Sequence, residues 1–140
     1  MNLTELISRV RSYTRDTTGT LFSATDIEDF INEGIDRLKH IKPLSEMVYL
    51  ESDTDIPKLL PPQYHYILAV YSACRCFSQD EQHYLAQTFA DEFNGIYDLI
   101  ELGIREGTII ISREDGSSIL DEYDFDSVID VYFNNNNNGD

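Results

Sequence analysis

Residues 22–38 read FSATDIEDFINEGIDRL, and the period of this stretch decides between a helical and a strand-based fold. Ser23 and Asp26 have the spacing of a capping box, in which the first side chain accepts from the backbone three residues on. Phe22 and Ile27 occupy the two positions of a hydrophobic staple. Ile27, Phe30, Ile31, Ile35 and Leu38 then recur at helical spacing, and Pro43 marks the stop.

The same grammar extends outward. Upstream, Asn2 and Glu5 form a second capping pair and Met1 is placed to staple onto Leu6, opening a helix with a stripe of Leu3, Leu6, Ile7, Val10 and Tyr13. Residues 14–20, TRDTTGT, are a turn-rich loop. Downstream, Pro62 suits the first position of a third helix running to about Phe77, with Tyr64, Ile67, Leu68, Tyr71, Cys74 and Phe77 inward and Tyr66, Ala69 and Ala73 on the other face. Ser78 and Glu81 propose a further capping box for a long last helix reaching Glu106, about 40 Å in length. Its stripe is Leu85, Phe89, Phe93, Ile96, Ile100 and Ile104. Gly95 and Gly103 each weaken it by roughly 1 kcal/mol relative to alanine.

Between the second and third helices, MVYLE (47–51) reads as a short strand, SDTD (52–55) as a turn and IPKLLPP (56–62) as a weak partner strand. After Gly107, TIIIS (108–112) is a β-branched strand candidate and REDGSS (113–118) a turn. The chain closes with DEYDFDSVIDVYFNNNNNGD (121–140). The expected fold class is therefore mainly α: a four-helix core with a short β-hairpin between helices 2 and 3, a long last helix and an extended, strand-like C-terminal arm. The expected divisions are a helical domain over 1–107, an arm over 108–133 and a disordered, asparagine-rich tail over 134–140.

Charge narrows the function. There are 26 acidic and 10 basic residues, a formal net charge of −16, which repels nucleic-acid phosphates. Residues 1–42 hold six basic and seven acidic side chains; residues 108–140 hold one and eight. Arg9, Arg11, Arg15 and Arg37 are thus the cations available to a neighbouring subunit's carboxylates. Cys74 and Cys76 are spaced for neither a disulfide framework nor a Cys-x-x-Cys site and read as reduced thiols. His40, His65 and His83 have no partners at ligand spacing. DEYDFD lacks the glycine and terminal glutamate of a calcium loop. With no phosphate-cradling loop, no nucleophile elbow and no paired acid and base, the expectation is a protein that is not an enzyme and uses no cofactor or metal. No signal peptide or membrane span is expected.

The arm carries Tyr123, Phe125, Val128, Ile129, Val131, Tyr132 and Phe133 among its carboxylates. Alternation of aromatics with acids suits strand addition or groove binding on another chain, so these seven are the candidate partner-binding residues.

Taken in order, LTELISRVRSYT, FSATDIEDFINEGIDRL, LPPQYHYILAVYSACRCF and a long helix resemble the head–tail connector (adaptor) proteins of tailed phages. The matching positions are Leu3, Leu6, Ile7 and Val10; Phe22, Ser23 and Ile27; Ile31 and Asn32; Leu60, Pro61 and Tyr64; and Ala73 and Phe77. The likeness covers residues 2–107. The proline pair 61–62 replaces a more usual single proline, and residues 108–140 have no counterpart. The resemblance implies a structural virion protein synthesised in the host cytoplasm, forming a homo-oligomeric ring, commonly a dodecamer, beneath the portal protein. It would bind neighbouring adaptor subunits and neck or tail proteins, and genomic DNA would pass through its channel without sequence-specific binding. An acidic DNA-mimic inhibitor of a nucleic-acid-binding protein is the alternative from another class. A stopper or tail-completion ring is the alternative within the virion.

Overall fold

The computed structural model describes residues 1–113, 115 and 116. Four helices make the body: α1 (Leu3–Thr14), α2 (Ala24–Leu38), α3 (Tyr66–Gln79) and α4 (His83–Glu106), with single 3-10 turns at Lys42–Leu44 and Pro62–Tyr64. The mainly helical class expected from the periodicity is observed.

Local start signals act as their chemistry dictates. Glu5 N donates to Asn2 Oδ1 at 2.8 Å, and Asn2 N donates back to Glu5 Oε1 at 3.3 Å, completing the capping box of α1. Ser23 Oγ accepts from Asp26 N at 3.0 Å at the start of α2. Pro62 opens a 3-10 turn rather than α3 itself, which begins four residues later. Ser78 caps nothing: α3 runs through it to Gln79, Glu81 reverses the chain in a left-handed conformation (φ 59°), and α4 starts at His83. Continuing α3 keeps Phe77 packed against Phe89, ring centroids 5.5 Å apart.

α3 is the central element, packed against α1, α2 and α4. Its sequence has almost no polar face: Ile67, Leu68, Ala69, Val70, Ser72, Ala73, Cys76 and Phe77 are all buried, the pattern of a helix surrounded by others. Ala69 and Ala73 therefore belong to the core, whereas Tyr71 and Cys74 are only half-buried. Gly34 lets α2 come close to α3; a Cβ there would lie 3.1 Å from Leu68 Cδ2 and 3.3 Å from Tyr71 Cδ1.

The expected hairpin between helices 2 and 3 is not formed; residues 45–61 are irregular, with no strand. Their backbone groups are satisfied by helices instead of by each other. Asn32 Nδ2 donates to Leu50 O at 3.0 Å and Asn32 Oδ1 accepts from Leu50 N at 2.9 Å, so an α2 side chain takes the place of a partner strand. The carbonyls of Asp55 and Asp53 accept from Leu3 N (2.9 Å) and Thr4 N (3.2 Å), two donors that the first turn of α1 leaves unpaired. Asp55 Oδ2 accepts from Glu51 N and Ser52 N, both at 2.9 Å, holding the turn.

Nor is TIIIS a strand. Gly107 (φ 80°) ends α4, and the amides of Thr108 and Ile109 both donate to Gly103 O at 2.9 Å, turning the chain back on the helix. Ile109 and Ile111 are buried in the same core as the helices. A Cβ at Gly103 would lie 2.5 Å from Ile109 Cδ1, so glycine there admits the returning chain. Arg113 Nε and Nη2 then grip the Glu46 carboxylate at 2.9 and 3.1 Å. The arm residues 119–133 and the asparagine-rich tail lie outside the described residues.

Candidate interaction surface

Groups with intrinsic chemistry are dispersed or engaged in structure. Among the described residues no cluster of three or more His, Cys, Asp or Glu side chains is arranged to hold a metal. His40 and His83 are exposed, whereas His65 is buried. The Met1 amino group donates to His65 Nδ1 at 2.8 Å, which leaves Nε2 as the protonated nitrogen donating to Leu60 O at 2.8 Å. Burial, helped by the N-terminal charge, lowers the His65 pKa despite the Leu60 and Pro57 carbonyls. Cys76 is buried and its thiol is pushed up to about 12, so it is not a nucleophile at neutral pH. Burial raises the Cys74 thiol too.

The four arginines expected to meet a neighbour are not equivalent. Arg11 is taken up inside the subunit: its Nη1 donates to Asp16 Oδ2 at 3.2 Å and to Phe22 O at 3.0 Å. Asp16 is buried and also accepts from the amides of Thr20 (3.0 Å), Leu21 (3.2 Å) and Phe22 (2.9 Å). Burial opposes its charge, but these three amides and Arg11 prevail and lower its pKa. Arg11 and Asp16 thus organise the loop between α1 and α2. Arg9, Arg15 and Arg37 are exposed. Arg37 lines an open cleft of about 410 Å³ with His40, Phe93, Asn94 and Tyr97, between the end of α2 and the middle of α4. The seven arm residues Tyr123 to Phe133 lie outside the described residues.

The length of α4 implies that part of it projects or is covered by another subunit, but the residues of its outer side are not among those singled out from the sequence. The inner side presents Ala86, Phe93, Ile96, Ile100, Gly103 and Ile104, all buried. Opposite them, Tyr84, Thr88, Asp91, Gly95, Leu99 and Leu102 follow one another at helical spacing, all exposed. Tyr84 is 84% exposed, Leu99 61% and Leu102 45%. Glu92 and Asp98 flank this stripe and are exposed as well. The signal was legible: Leu99 and Leu102 stand out of phase with the inner stripe of the same helix. It was overshadowed by the stronger period facing α3.

A second apolar region lies where the returning chain meets the irregular loop. Exposed Val48 and Ile56 border two clefts of about 460 and 260 Å³ that share Lys58, Leu59 and Arg113. Among the described residues no helix is long and apolar enough to cross a membrane. Comparison with known protein families, curated proteins and solved structures finds no match to this chain.

Proposed function

We propose that this chain is a structural virion protein, a subunit of the ring that joins the DNA-filled head of a tailed phage to its neck and tail. The observation that carries this reading is the outer side of α4. A 24-residue helix, about 36 Å long, satisfies its own subunit with one side and holds Tyr84, Leu99 and Leu102 out on the other. Large apolar side chains aligned along a helix and bordered by charges are what a subunit interface requires. The order of elements, two short capped helices, a central helix and a long last one, agrees with the connector resemblance.

In this reading the ring, of commonly twelve copies, docks beneath the portal, and neck or tail proteins attach to it. The net charge of −16 keeps the channel wall from gripping DNA as it passes. The acidic, aromatic segment around Tyr123, Phe125, Val128, Ile129, Val131, Tyr132 and Phe133 is the contact to portal or neck, and the protein has no catalytic duty.

Electron microscopy of the purified protein, alone and mixed with candidate portal proteins, tests the proposal. Rings, or added density below the portal, are the expected result, and Leu99→Glu with Leu102→Glu abolishes them while the helical circular dichroism spectrum is unchanged. A protein that remains solitary in every mixture and instead titrates a basic nuclease or repressor would replace this reading with the acidic DNA mimic.

A further inference from the structure

Among the described residues three glycines lie within helices, and two have a cause inside the subunit: Gly34 admits α3 and Gly103 admits Ile109. Gly95 has none. A Cβ built there meets nothing within 4 Å, although glycine in a helix interior is unfavourable relative to alanine. It stands in the middle of the exposed stripe on α4, with Tyr84 and Thr88 on one side and Leu99 and Leu102 on the other. A residue that removes side-chain bulk from the centre of an exposed helix face permits another backbone to approach that face closely.

The chain itself carries a complementary face. On the outer side of α1, Ser8 and Ser12 are aligned and exposed with Glu5 and Arg9 exposed beside them, and Arg15, the left-handed residue that ends the helix (φ 58°), is exposed just beyond. Neither Arg9 nor Arg15 forms an ion pair among the described residues. Two small serines, with Arg9 beside them, Arg15 at the helix end and the Glu5 carboxylate occupied in accepting from Asn2 N at 3.3 Å, match a glycine flanked by Asp91, Glu92 and Asp98. Leu21, in the loop between α1 and α2, is an exposed apolar side chain (63%) on the same part of the chain. α4 carries five carboxylates against the single arginine Arg105, which is already paired with Glu101 at 2.9 Å.

We propose that the outer face of α4, centred on Gly95, packs against the outer face of α1 of a second copy, with Arg9 and Arg15 of that copy opposite Glu92 and Asp98. The two faces share no residue, so the contact is heterologous, and repetition of a heterologous contact closes a ring when its rotation allows. This inference rests on the ring reading above and names the surfaces that would make it.

The test uses the full chain, with association followed by sedimentation velocity or native mass spectrometry from low micromolar to about millimolar protein at low salt, where surface charges are least screened. Wild type is expected to self-associate, and Arg9→Glu with Arg15→Glu, or Glu92→Arg with Asp98→Arg, to weaken association at least tenfold. Mixing the two reversed proteins, or joining all four changes in one chain, is expected to restore it. Gly95→Ala supplies a second readout: it raises the melting temperature of the monomer, because alanine favours the helix, while association weakens. An effect on folding alone would give the two changes the same sign. If wild type associates but none of these variants alters it, the α4–α1 contact is wrong and the ring reading survives. If wild type remains monomeric throughout, this self-contact is wrong, and the ring reading is then judged by the portal mixtures alone.

Discussion

α3 and α4 are consecutive helices packed side by side, yet they use their surfaces in opposite ways. α3 buries most of its circumference, including Ser72, whose hydroxyl donates to Ile27 O at 3.3 Å. α4 buries one stripe and leaves leucines in the open on the other. The difference teaches that apolar content alone does not locate a core. What does is whether the polar residues leave a helix any face on which to meet water. On α3 only Arg75 and the last turn, Ser78 and Gln79, are exposed, and three neighbouring helices cover the rest. α4 has Asp91, Glu92 and Asp98 among its exposed apolar residues, so its outer face tolerates water in the free subunit and remains available to a partner.

The sharpest way to break this contrast is to make one substitution in each helix. Leu68→Ala, at a fully buried position, is expected to cost about 2–5 kcal/mol in denaturant unfolding. Leu99→Ala on α4 is expected to change the unfolding midpoint by no more than about 0.5 kcal/mol. Equal losses would mean that the outer face of α4 is part of the core after all. Glycines allow the next comparison. Gly34→Val drives a branched side chain into Leu68 and Tyr71 and is expected to cost about 1–3 kcal/mol, whereas Gly95→Ala is expected to stabilise by up to about 1 kcal/mol. Similar signs for the two would remove the distinction between a glycine used inside the subunit and one that is not.

A local effect is expected where the irregular loop is pinned. Asn32→Ala leaves the Leu50 amide and carbonyl, at a residue only 1% exposed, without their partners, at a cost of about 1–3 kcal/mol. Hydrogen exchange at Leu50 should accelerate while the amides of α3 remain protected. Protection lost evenly across the molecule would show that loop and helices unfold as one unit.

The smallest expected effect is a pH dependence. His65 has a lowered pKa in the folded chain, while an unfolded histidine titrates near about 6.5. Below that value the unfolded chain binds more protons, so the contribution of His65 to stability, complete above it, falls as pH drops towards the folded value. Thermal melts between pH 7.5 and 5 should show this slope in wild type and a shallower one in His65→Gln. The same slope in both would assign the effect elsewhere.

Much of the helical body was legible because its signals are local. Asn2 with Glu5, and Ser23 with the amide of Asp26, act within one turn of chain, and the stripes of α1 and α2 need only a period. The hairpin was misjudged for the opposite reason. MVYLE has strand-like residues, but a strand needs a second backbone, and Asn32 and the first turn of α1 claimed the hydrogen-bonding groups first. Ser78 and Glu81 had capping spacing, yet α3 runs two residues past Phe77, which packs on Phe89. Arg11 appeared to be a surface cation, and only the folding of residues 16–22 around Asp16 drew it inward.

By itself the sequence determined four helical segments, the caps of α1 and α2 and the charge of the chain, because capping and amphipathic spacing act over a few residues. Tertiary structure alone decided which helix lies at the centre, what pairs with Leu50, that Ile109 returns to Gly103, and which side of α4 stays open. Those outcomes join residues tens of positions apart, and each was set by competition among groups for the same buried space and the same backbone partners.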